Sequence, residues 1–312
     1  MAHADPANGQ IVAVGSTPMR LITIDPDGKG LRTLVAAAPN ETLSDPAWSP
    51  DGNQIAYASQ EPDGGSRIKV FDTRTGITRP VTEHRDPNEF DVDPGWTGDG
   101  SRVLFRRGPR FQSSDTTPYS LMQVAPDGSA LEKHSNITLP RTTLHAAWSP
   151  DGTVAYANET TTFYSKLDGS ADHDVMWFTT SQPSWSTDGN MIAVAREGVL
   201  LMVRDGVGWK IFQMIQSGDR VHSPDLSPDM KQHVYAQTNA AGADELKIAV
   251  HEGPRFLPLL QADGDSFTQP DWQPCVAGVT KSCTSSASVE PLNCPDATAV
   301  VISGRSTLSN VL

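Results

Sequence analysis

Six polar residues hold one place in a recurring pattern. Asp45, Asp93, His145, Gln182, Ser223 and Gln269 each stand three positions before an anchor, which is Trp48, Trp96, Trp148, Trp185, Leu226 or Trp272 in turn. Brought together, two carboxylates and an imidazole become candidate ligands for a divalent cation. Oxygen donors suit calcium, and the imidazole admits a transition metal. Without an ion the same groups cap strand ends and bind water. His222 lies beside Ser223 and adds a second histidine near the set, while the remaining histidines fall elsewhere. Ser49, Ser149, Ser186 and Ser227 each follow an anchor directly. Recurrence of that kind reflects hairpin geometry, and no G-x-S-x-G nucleophile elbow is present.

A second group is built for recognition. Arg106, Arg107 and Arg110 with Phe111 open the long segment 106–119, giving a basic, partly aromatic stretch in an acidic chain. Arginine and aromatic residues are enriched where interfaces concentrate their binding energy. The other long segments are 83–92 and 237–245, and all three fall on one predicted face, where long loops on a rigid scaffold place binding.

The elements that must position these residues follow from an internal repeat. DPAWSPDG, DPGWTGDG, HAAWSPDG and QPSWSTDG each precede an apolar alternating stretch; SPDLSPDM puts Leu226 in the tryptophan's place, and QPDWQP is a truncated last copy. The anchors are 48, 52, 37, 41 and 46 residues apart. Such spacing fits four short strands and their turns. In the first full unit the strands are expected at 45–49, 55–59, 68–72 and 78–82. Asp-Gly recurs at the first turn because glycine accepts positive φ and the aspartate satisfies amides the turn leaves unpaired.

A four-stranded sheet with two apolar faces must stack on neighbours, and stacking around an axis gives an all-β propeller of six blades. Residues 11–35 supply three strands with no tryptophan strand before them, and 268–274 is a tryptophan strand with no partners after it. The expectation is that this C-terminal strand joins the first blade and closes the ring. The domain then spans residues 8–275, after a short extension at 1–7 and before a Ser/Thr-rich tail at 276–312.

Composition bounds the function. With 37 acidic and 24 basic residues the formal net charge is −13, which argues against general nucleic-acid binding. No run approaches the roughly 18 apolar residues that a membrane-spanning helix needs. Cys275, Cys283 and Cys294 crowd the C-terminal end, at spacings that match no paired zinc pattern; one disulfide and a leftover thiol are expected, with the pairing open. Ala2-His3-Ala4 has the small-x-small form of a signal cleavage site, so the chain reads as exported, periplasmic or secreted.

Residues 46–52 (PAWSPDG), 146–152 (AAWSPDG) and 183–189 (PSWSTDG) resemble the repeats of the TolB-like, WD-related propeller family. The resemblance covers the propeller portion and no α/β domain ahead of it. It implies a non-enzymatic propeller that engages a protein partner, as in a bacterial envelope system. Related propellers include oligogalacturonate lyases, so a carbohydrate-active enzyme working at the channel mouth is the alternative. Those lyases use several histidines around a metal, and only His145 and His222 lie near enough here. No cofactor is expected beyond a divalent cation at that mouth.

Overall fold

A computed structural model describes residues 7–275 except 63, 84–85, 111–116, 141, 159–161, 166–172, 177–180, 196–197, 206–207, 216–219, 252–254 and 261–264. Every regular element among the described residues is a β-strand. The first three are β1 (Ala7–Ser16), β2 (Met19–Ile24) and β3 (Arg32–Ala36). Then come β4 (Thr42–Trp48), β5 (Gln54–Gln60), β6 (Ser66–Asp72), β7 (Ile77–Pro80), β8 (Glu89–Trp96), β9 (Val103–Pro109), β10 (Tyr119–Val124) and β11 (Glu132–Leu139). The third run is β12 (His145–Trp148), β13 (Val154–Ala157), β14 (Thr162–Ser165), β15 (His173–Met176), β16 (Ser181–Trp185), β17 (Met191–Ala195), β18 (Val199–Asp205) and β19 (Gly208–Ile215). The last five are β20 (Val221–Leu226), β21 (Gln232–Thr238), β22 (Asp244–Val250), β23 (Arg255–Leu260) and β24 (Phe267–Cys275).

Strands pair as antiparallel sheets in the orders β12-β13-β14-β15, β16-β17-β18-β19 and β20-β21-β22-β23. A single parallel bridge between Ser66 and Phe90 joins β4–β7 to β8–β11. The last strand leaves its neighbours in sequence and pairs with the first, giving the order β24-β1-β2-β3, with Trp272 opposite Ile11.

The tight turns have the chemistry that the repeat predicts. Asp51 Oδ1 accepts from Ser49 Oγ at 2.6 Å and from the Asn53 amide at 3.1 Å, while Gly52 takes φ 67°. Asp188 repeats the arrangement with Ser186 and Asn190.

Neighbouring sheets pack face to face through the anchors. Trp48 lies among Val12, Val14 and Leu21 of the preceding sheet, Trp96 among Ala56, Ala58 and Val70, and Trp148 among Leu104 and Leu121. Trp272 joins Val234 and Ile248. All five anchor tryptophans are buried. Several indole N–H groups also reach the anchor strand of the preceding repeat: Trp96 donates to Ala47 O at 3.0 Å, Trp148 to Asp93 O at 2.9 Å and Trp185 to Ala147 O at 3.1 Å. Gly95 permits this seating, because a methyl group there would lie 2.6 Å from Trp148 Cδ1.

Candidate functional site

The strands β4, β8, β12, β16, β20 and β24 lie side by side around a cavity of 460 Å3. Its wall is made by the segments that run from each polar position to its anchor. Asp45, Asp93, Gln182, Ser223 and Gln269 line it, each followed by a proline.

Four of these residues are in the left-handed region: Asp45 (φ 51°), Asp93 (φ 51°), Ser223 (φ 49°) and Gln269 (φ 51°). The pairing register slips at each of these places, between Ser44 and Ala47, Val92 and Gly95, and His222 and Asp225, and opposite β1 in β24. A bulge of this kind re-aims a side chain, at a backbone cost of roughly 1–2 kcal/mol for a residue with a Cβ. His145 is followed by Ala146, and there β12 keeps its register with β13.

The bulges join most of the polar set into one network. Gln269 Nε2 donates to Asp45 Oδ1 at 2.7 Å, and the Asp45 amide returns a bond to Gln269 Oε1 at 3.0 Å. Gln182 Nε2 donates to the same Asp45 oxygen at 3.3 Å, and Ser223 Oγ donates to Gln182 Oε1. Ligand atoms of Asp45, Asp93 and His145 lie within 4.8 Å of one another. Burial, reinforced by the charge of Asp93, pushes the Asp45 carboxyl up to about 6, and His145 opposes it. Burial pushes His145 down to about 4 against the pull of Asp45. His222 turns away to Asp244 Oδ1, 3.1 Å from its Nε2, and does not line the cavity.

The expected basic protrusion is corrected. β9 continues through Pro109, so Arg106 and Arg107 are strand residues. Arg106 is 5% exposed; its Nε binds Asp93 Oδ2, and its other nitrogens donate to Thr143 O at 3.0 Å and Leu144 O at 2.7 Å. Its guanidinium also covers the Tyr119 ring at 4.4 Å. Arg107 holds the buried Asp91 through both carboxylate oxygens, at 2.6 and 2.7 Å. An arginine beside a buried aspartate is drawn inward because leaving that charge unpaired is costly. Arg110 is exposed, 5.9 Å from the Phe90 ring centre, and Phe111 lies outside the described residues. The other long loops shorten too, since β8 begins at Glu89, β21 runs to Thr238 and β22 begins at Asp244.

Sequence reasoning missed a second band, one residue before the anchors. There Ala47, Gly95 and Ala147 give way to Ser184, Asp225 and Asp271. Asp225 Oδ2 accepts the Trp272 amide at 2.7 Å, and its Oδ1 accepts from Ser184 Oγ. Asp271 Oδ2 accepts the Trp48 amide at 2.6 Å. Each carboxylate thus ties its strand to the next one around the cavity. Burial pushes Asp225 up to about 6, and burial with the neighbouring Asp225 charge raises Asp271 well above the ordinary range. Two aspartates where the other repeats have alanine, glycine or serine was the readable signal.

A cavity walled by tryptophan-anchored inner strands of radially packed sheets defines a β-propeller. The chain belongs to the TolB beta propeller domain family, which it matches over residues 12–276. It is 41% identical to the Tol-Pal system protein TolB of Xylella fastidiosa over 71 residues, 23% of this chain and 16% of the relative. The matched stretch is therefore a small part of that protein's length. Among solved structures it resembles TolB from Acinetobacter baumannii, with TM-score 0.66 and 22% identity over 85% of this chain and 66% of that one. It also resembles a chain of a nidogen/laminin complex, with TM-score 0.63 and 6% identity over 85% of this chain and 98% of the other. These two likenesses show the fold. No helix among the described residues is long and apolar enough to cross a membrane.

Proposed function

We propose that the chain is a non-enzymatic binding propeller of six four-stranded blades, closed by β24 beside β1, that works in the periplasm or outside the cell. It holds a protein partner on the face where the polar network rims the cavity. One observation carries this reading: the groups that could act on a substrate are already spent on the protein. Asp93 is neutralised by Arg106 and accepts the Ala146 amide, and Asp45 serves two glutamines. The curated relatives are named Tol-Pal system proteins, and a place for this chain in an assembly of that kind fits the same reading.

The grouping of Asp45, Asp93 and His145 favours a second reading, a metal-assisted enzyme acting on carbohydrate. The donor set does not fit a divalent ion: the Arg106 guanidinium already holds one Asp93 oxygen and sets a fixed positive charge beside any cation. We therefore assign no resident cofactor. The deciding experiment compares Gln182→Arg with His145→Gln. Partner capture from envelope and secreted fractions, repeated with the purified partner, should fall at least about tenfold in Gln182→Arg while the variant still melts cooperatively. Chelator-sensitive release of sugar ends from a polysaccharide, lost in His145→Gln, would overturn the binding reading.

A further inference from the structure

One hairpin departs from the other repeats at several linked positions. Trp48 faces Ile55, Trp96 faces Val103, Trp148 faces Val154, Trp185 faces Ile192 and Trp272 faces Ile11. In β20–β21 the corresponding pair is Leu226 and His233. The turn between them has Met230 at φ 60°, where Gly52, Gly100, Gly152 and Gly189 stand elsewhere. His251, just after β22, completes the group, its amide held by Lys231 O at 2.8 Å.

A fully buried histidine at a position otherwise aliphatic is costly unless it is used. His233 is 0% exposed. His251 Nδ1 lies 2.8 Å from Met230 O, and since a carbonyl only accepts, this nitrogen carries the proton. His251 Nε2 therefore presents its lone pair to His233 Nδ1, 3.2 Å away. His233 Nδ1 donates across that gap, and its Nε2 is left buried without a partner. The hydrogen-bond pattern leaves His251 Nε2 as the lone-pair nitrogen, the form of imidazole that binds metal.

We propose that His233 Nδ1 and His251 Nε2 together bind one borderline transition-metal ion of the zinc type. Metal–nitrogen bonds of about 2.0–2.1 Å at a tetrahedral angle set two ligand nitrogens roughly 3.3 Å apart. The observed separation is 3.2 Å, and the ring centres are 5.3 Å apart. The His251 bond to a backbone carbonyl is the outer contact that orients ligating imidazoles. Binding replaces the proton between the rings. That proton moves from Nδ1 to Nε2 of His233, so the ring stays neutral and no proton is released. His251 is half-buried and gives the open side, where water completes the coordination. The site is separate from the cavity network and independent of the proposed function.

The test uses the full chain stripped of metal and titrated with Zn2+ by calorimetry, with Co2+ absorption as the spectroscopic reading. One equivalent should bind and raise the melting temperature. His233→Val, which installs the residue found at Val103 and Val154, and His251→Gln should each weaken binding at least about tenfold. His145→Gln and a chain with Cys275, Cys283 and Cys294 all changed to Ser should bind as before. Should His233→Val fail to fold, His251→Gln carries the test. Absence of binding, undiminished binding in His251→Gln, or loss in the His145 or cysteine variants instead would overturn the site.

Discussion

The rim of the cavity and the band two residues further along the strands each carry two aspartates, on β4 and β8 at the rim and on β20 and β24 in the band, yet handle them differently. At the rim, Asp93 has a guanidinium and Asp45 has two amide side chains and a nearby imidazole. In the deeper band, Asp225 and Asp271 have backbone amides and a serine hydroxyl, and the Asp225 charge makes Asp271 harder to ionise. The rim is a charge-balanced brace. The band is a pair of buried acids that gain hydrogen bonds but no counter-ion, and it makes the fold sensitive to pH.

The most damaging way to break the contrast is Arg106→Ser, which leaves Asp93 buried and uncompensated. A loss of about 3–5 kcal/mol is expected in urea unfolding; a loss under about 1 kcal/mol would mean the rim is not braced by this pair. Next is the double change Asp225→Asn with Asp271→Asn. Because the folded-state pKa of each carboxyl is raised, the folded protein binds protons more tightly than the unfolded chain. The Asp225 contribution is therefore most favourable below the ordinary carboxylate range and is lost as pH rises through about 6, and Asp271 acts in the same direction. The double variant should be more stable than the parent at pH 7, by on the order of 2 kcal/mol, and the gap should close toward pH 4. Asp45 and His145 sharpen the comparison. Asp45 loses stability as pH rises toward about 6, while His145, depressed to about 4, gains it over an overlapping window, so the rim partly cancels.

Gln269→Ala removes two bonds to Asp45 and should cost about 1 kcal/mol at neutral pH. A cost equal to that of Arg106→Ser would place the bracing in the amides instead. The smallest effect is expected from Arg110→Ser, within about 0.5 kcal/mol, because the side chain is exposed. A thermal melt separates it from the buried arginines beside it.

Much of the framework was legible because it repeats. Tryptophan spacing, Asp-Gly turns and an orphan C-terminal strand each have a local cause that composition displays, and the pairing of β24 with β1 follows from counting strands at the two ends. The candidate site was half legible. Periodicity picked out Asp45, Asp93, His145, Gln182, Ser223 and Gln269, but Arg106 and Arg107 read as loop residues. Nothing local distinguishes an arginine that extends a strand from one that leaves it; what does is Asp93 or Asp91 on the neighbouring strand.

The amino-acid order by itself determined the repeat, the short strands and their turns, since these depend on contacts within a few residues and on backbone preferences that Gly, Pro and Asp set locally. Tertiary structure alone decided which charges meet. Asp93 and Arg106 are 13 residues apart, Asp45 and Gln269 are 224 apart, and Asp271 reaches the Trp48 amide across 223. The first pair needs only the β8–β9 hairpin, but the other two form only when strands distant in sequence converge on one cavity, where burial strengthens each interaction and makes an unpaired group expensive.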